Sequence, residues 1–138
     1  MADLFDQAHV DAGLALLRAD PGLTVYPGPD GVTPRTPDRP YVRVYATVER
    51  PAVALGNALR GASTEAVVRW WCHCVADSEP AAVAVAMRVR AALLDQRPVI
   101  AGRSCGLIRQ AEARPPMRDE TTGVQVMDLV QVYRLTTH

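Results

Sequence analysis

One stretch restricts what this chain can fold into more than any other. Thr64 to Ala76 (TEAVVRWWCHCVA) runs directly into Ser78 to Asp95 (SEPAAVAVAMRVRAALLD). The first part, with Val67, Val68, Trp70 and Trp71, is built of residues that suit a pleated, half-buried surface, and it reads as a long strand. The second opens on Ser78 or Asp77 as a helix cap, with Pro80 tolerated in the first turn. It then sets Ala82, Val85, Ala86, Val89 and Leu93 on one face, with Arg88 and Asp95 opposite, and Pro98 ends it. A strand feeding an amphipathic helix in a chain of 138 residues predicts one α+β domain. A domain of this size buries roughly two thirds of its unfolded surface and folds without disulfides or metal.

The flanking segments supply the remaining layers. Asp3 caps a first helix that runs to about Ala19, where Asp20-Pro21-Gly22 stops it. Phe5, Ala8, Ala12, Ala15, Leu16 and Ala19 form its apolar stripe, and Gln7, Asp11 and Arg18 a narrow polar seam. Val10, Leu14 and Leu17 lie outside both, so the apolar surface is wider than one sheet needs and predicts a second partner surface. Thr24 to Tyr26 begins a short strand. From about residue 27 to 40, five prolines (Pro27, Pro29, Pro34, Pro37, Pro40) with Gly28 and Gly31 predict an exposed arm, because proline cannot pair in a central strand. That arm is expected to order against a neighbouring subunit or partner.

Tyr41 to Val48 alternates, with Val42, Val44 and Ala46 on one face and Tyr41, Arg43 and Tyr45 on the other. Arg50 to Ala62 is a connector of no clear period. Val99-Ile100 and Ser104 to Gln110 read as short strands, Ala113 to Gly123 as a polar loop, and Val124 to Thr136 as the closing strand. In that strand Val124, Val126, Val130 and Val132 point one way, and Met127, Leu129, Tyr133 and Leu135 the other. A lone domain covers one such face with its helices, and the second wants further cover. The expected architecture is a mixed or mostly antiparallel sheet of about four to six strands packed against two helices.

Fifteen basic and fifteen acidic residues leave no net charge, which argues against a general nucleic-acid or anionic-membrane binder. Every basic residue is Arg, which GC-rich codon usage explains together with the abundant Ala, Val, Gly and Pro. No apolar run approaches the ~18 residues of a membrane span. The start MADLFDQAH lacks the basic opening of a secretory signal. Three cysteines, two of them one residue apart, fit free thiols in a reducing compartment.

Cys72-His73-Cys74 is the one cluster of metal-type residues. On a strand, Cys72 and Cys74 share a face with Trp70 while His73 points away. Zinc sites space paired cysteines by two to four residues and need a second pair, which Cys105, His9 and His138 do not supply. The thiols are therefore expected to pack as small apolar groups without bound metal. His73 faces away from its neighbours and cannot activate them, and a Cys105 nucleophile would need His9 or His73 brought to it by the fold. Asp119-Glu120 with Arg114 and Arg118 reads as a solvated turn. Asp128, a charge inside an apolar strand, needs an Arg partner or a subunit interface. Phosphate-loop, dinucleotide and nucleophile-elbow fingerprints are absent, and Arg88 with Arg90 is too little for a nucleic-acid stripe. No catalytic, cofactor-binding or metal residue is assigned.

A leading helix, a Pro-rich passage into PYVRVY, the run EAVVRWWCHCVADSEPAAVAVAMRVRAAL and a late DETTGVQVMDLVQVYRLT strand together form a recognisable pattern. Over about Leu4 to Thr136 it resembles the tail terminator (tail completion) proteins of long-tailed bacteriophages. The resemblance implies a structural virion protein, not an enzyme, that assembles as a hexameric ring on the head-proximal end of the tail tube. Such a ring ends tube polymerisation and joins tail to neck. Implied partners are further copies of the chain, the tail tube protein and neck or head–tail connector proteins. DNA only passes through the lumen, and no membrane is involved. The implied location is the tail–neck junction, after synthesis in the host cytoplasm. A neck or head–tail adaptor of the same virion is the close alternative, separated by whether the ring binds tube ends. A small intracellular thiol or metal-dependent enzyme is the distant one, which stoichiometric metal or a reactive Cys would favour.

Overall fold

The computed structural model describes residues 4–28, 40–49, 65–119 and 126–138. In chain order they form α1 (Leu4–Arg18), β1 (Val25–Pro27), β2 (Tyr41–Glu49), β3 (Ala66–Ala76), α2 (Glu79–Leu93), β4 (Arg109–Ala113), β5 (Met117–Asp119) and β6 (Val126–Thr137). The strands make one sheet in the order β1-β2-β3-β6-β4, with β5 also pairing to β6. Only the β1–β2 pair is parallel. This is the mixed, mostly antiparallel α+β architecture that the pattern of elements predicts.

β3 and β6 are the spine of the sheet, paired from Ala66↔Thr137 to Ala76↔Met127. Alternation along β3 buries Ala66, Val68, Trp70, Cys72 and Cys74 and leaves Val67, Arg69, Trp71 and His73 half-buried. β2 repeats the rule, with Val42 and Val44 buried and Tyr45 exposed. Both helices contribute to the core on the buried face, Leu14 and Leu17 from α1 and Ala82, Val85, Val89 and Leu93 from α2.

α2 begins as its sequence requires. Ser78 is extended (φ −139°, ψ 158°) and its hydroxyl accepts the Ala81 amide at 3.3 Å. The helix ends at Leu93, two residues earlier than its periodicity suggests, because Asp95 takes a left-handed conformation (φ 61°). That position is usually glycine, but a short polar side chain tolerates it. The Asp95 amide donates to the Ile108 carbonyl at 2.9 Å, and its carboxylate pairs with Arg109.

α1 turns a different face inward from the one its alanines mark. His9, Gly13, Leu14 and Leu17 are buried, Val10 and Leu16 partly so, and Ala8, Ala15 and Ala19 are exposed. The actual seam lies roughly a third of a turn from the expected stripe. Leucine gains more from burial than alanine, and Gly13 provides a notch for Trp70. A Cβ on Gly13 would stand 2.3 Å from Trp70 Cε2, and Trp70 Nε1 donates to the Val10 carbonyl at 3.3 Å. Gly13→Ala should therefore destabilise the fold. Overpacking costs about 1–3 kcal/mol, which exceeds the ~1 kcal/mol helix propensity that alanine adds. A melting temperature equal to or above wild type would show that the indole does not fill this notch.

Three other segments depart from expectation. Val99-Ile100 is not a strand, although Ile100 enters the core. Within Ser104 to Gln110, Cys105 makes an isolated bridge to Thr137 and only Arg109 and Gln110 belong to a strand, β4 at Arg109–Ala113. The Ala113 to Gly123 stretch contains β5, which pairs Met117 with Asp128. Short edge strands with polar side chains carry no apolar period, so their pairing is fixed by β6 and not by their own sequence. Asp3, Val124, the Arg50 to Ala62 connector and all but the ends of the Pro27 to Pro40 arm lie outside the described residues. The first helix and last strand are joined by His9, whose Nε2 lies 2.8 Å from the Thr137 hydroxyl. Arg103 donates to the same hydroxyl at 3.2 Å.

Candidate functional site

Among the described residues, the second face of the sheet carries no helix, and antiparallel register arranges its side chains in rows. One row runs Thr47–Arg69–Arg134–Arg109. Like charges directly opposite each other repel, and two of the three arginines are compensated. Arg69 pairs with Glu49 at 2.8 Å and Arg109 with Asp95. Arg134, exposed between them, makes no ion pair among the described residues.

The next row is Tyr45–Trp71–Val132–Glu112. Trp71 and Val132 form an apolar floor beside the arginines, and a shallow depression opens there between Arg69, Arg134, Gln110 and Glu112. Arg114 bonds the Glu112 carboxylate at 2.8 Å and holds it below the usual carboxylate range. β4 shifts register between Gln110 and Glu112, which brings Glu112 opposite Val132.

Further along, His73 sits between Arg43 and Val130, and Asp128 between Val75 and Met117. His73 Nδ1 lies 3.0 Å from Asp128 Oδ2. The partner of Asp128 is thus a histidine, not the arginine its sequence context suggests, because register sets His73 diagonally across from it. The Tyr45 ring stands edge-on to the imidazole, centroids 5.4 Å apart, and the Arg43 guanidinium lies 5.8 Å over the Tyr41 ring. Asp128 Oδ1 and Arg43 Nε are buried without hydrogen bonds.

The Cys72-His73-Cys74 run is divided between the two faces, as alternation predicts. Both thiols are buried in the core and only His73 reaches the helix-free side. Burial pushes the Cys72 thiol far up, and burial followed by the Asp128 charge pushes Cys74 up to about 12. Burial of this kind disfavours the thiolate. Among the described residues no three His, Cys, Asp or Glu side chains come together. What does come together is tryptophan, tyrosine, methionine and arginine, the residue types of binding surfaces. Each outward position is visible from strand parity. The alignment of three arginines is not, since it depends on how β4 and β6 slide into register.

Comparison with known proteins places this geometry. The family model described as "Tail completion protein gp17" matches residues 12–134. No curated protein matches. A chain in the solved structure described as "Virion of native gene transfer agent (GTA) particle" shares the fold, with a TM-score of 0.73 at 23% identity, over 99% of this chain and 98% of that one. No helix among the described residues is long and apolar enough to cross a membrane.

Proposed function

The chain belongs to the tail completion protein gp17 family, and from that premise we propose that it caps the head-proximal end of a phage-type tail tube as a closed ring of six copies. Family membership already makes it a structural virion tail protein and not an enzyme. The ring ends tube polymerisation and presents its other side to the neck. Its partners are copies of itself, the tube protein and the neck or connector proteins, with DNA passing through the lumen.

The observation that supports a ring is the one-sided cover of the sheet. Two helices bury one face, while the other keeps Trp71, Val67 and Val130 half-buried and Tyr45 and Met117 exposed. An apolar sheet face of this kind is completed by a neighbour. A head-to-tail contact that closes gives a ring, and one that does not gives a filament. A protein that ends a stack of rings must close, or it would start another stack.

Particles assembled without this protein should carry overlong tails that fail to join heads. Tails of normal length left unjoined would instead indicate a neck adaptor. Normal, joined tails would overturn both readings.

A further inference from the structure

Among the described residues, a second apolar surface without cover lies on the far side from the helix-free sheet face. α2 turns Ala82, Val85, Val89 and Leu93 inward. Outward, Glu79, Val83 and Met87 follow at four-residue spacing on one ridge. Val83 is 38% and Met87 67% exposed. These are large apolar side chains on positions that a helix facing only water fills with polar ones. The ridge therefore has a carboxylate at its head and apolar groups behind it.

The sheet face carries the complement. Among the described residues Arg134 is the uncompensated cation at the centre of its row, and Trp71 and Val132 lie one row away. Rows on one face are about 6.6 Å apart along a strand, and Glu79 and Val83 are about 6 Å apart along a helix. A ridge laid along β6 sets Glu79 against Arg134, Val83 against the row of Val132 and Trp71, and Met87 beyond. The other charges nearby leave this match intact. Arg69 and Arg109 are occupied by Glu49 and Asp95, and Arg88 by Asp20 at 3.4 Å, while Arg90 stands at the far end of the ridge from Glu79. With only one cation of the row uncompensated, the site suits a single carboxylate and not the continuous charge of a phosphate backbone.

The two surfaces are different and lie on opposite sides of one chain, which is the condition for head-to-tail association. We infer that the outer ridge of α2 in one copy docks on the helix-free sheet face of the next, with Glu79 pairing to Arg134 across the contact. This rests on the ring reading and specifies which two faces meet.

The test is self-association of the purified full chain, followed by sedimentation and light scattering over a concentration series. Arg134→Glu, Glu79→Arg and Met87→Asp should each raise the association midpoint by about tenfold or more. The Glu79→Arg/Arg134→Glu exchange should recover most of the loss. Thermal melts of the variants check that the fold is retained, as the exposure of all three positions leads one to expect. Single variants that assemble like wild type overturn the inference, as does an exchange that recovers nothing, or a wild-type chain that stays monomeric at its highest soluble concentration. Tail length in particles lacking the protein is a separate measurement, so the docking geometry and the ring reading fail independently.

Discussion

Replacing Trp70 with alanine is expected to cost about 3–5 kcal/mol. A native domain has a total margin of about 5–15 kcal/mol, so this single change should bring the fold close to collapse. The indole is fully buried at the middle of β3, fills the notch left by Gly13 and donates its Nε1 hydrogen to the α1 backbone at Val10. Truncation leaves a cavity between helix and sheet that neither can close, because both are fixed by other contacts. Trp71→Ala is the internal control. That ring is half-buried on the opposite face, so its loss should weaken assembly more than monomer stability. Denaturant midpoints of the two variants decide the matter. A Trp70→Ala cost under about 1 kcal/mol would mean that the helices are not anchored through this ring.

Alkali should dismantle the same core. The Cys74 thiol is pushed up to about 12, and Cys72 and Tyr133 are raised as well, by burial first in each case. In the unfolded chain a thiol titrates near ~8.5. A group whose folded pKa is raised holds its proton more tightly when folded. Its contribution is complete below the unfolded value and is lost as pH climbs toward the folded one. Each thiol then withdraws about 1.4 kcal/mol per pH unit, so the pair should remove on the order of 7 kcal/mol by pH ~11. Tyr133 joins above its own unfolded value, near ~10. Unfolding midpoints measured from neutral pH upward should be flat and then fall steeply. Cys72→Ala and Cys74→Ala should each make the fall shallower, whatever their effect at neutral pH. A wild-type midpoint that stays constant up to pH ~11 would show that water reaches these sulfurs.

The long strands and α2 were legible because each carries a full period of its own. Val42 and Val44 in β2, the alternation through Trp70 and Cys74 in β3, and the Ser78 cap with Ala82, Val85, Val89 and Leu93 in α2 all lie where the pattern puts them. The buried seam of α1 differs from the expected stripe because alanines at helical spacing outnumber leucines, while burial follows side-chain area and the fit to Trp70. β5 is not legible in sequence because MRD has no period at all and exists only as a partner of β6. On the binding face, strand parity separates Arg43 from Val42 and Val44, and His73 from Cys72 and Cys74. It gave neither the His73–Asp128 pair nor the row of Arg69, Arg134 and Arg109, since both depend on cross-strand register, which sequence period does not encode.

β6 is the last strand in chain order yet lies inside the sheet, between β3 on one side and β4 and β5 on the other. His9 and Thr137, 128 positions apart, close the structure between them. Until β6 is in place, β3 keeps an open edge and the helices have half a floor. The entropy of closing so long a loop must be spent before its contacts form, which slows folding relative to a helical chain of equal length.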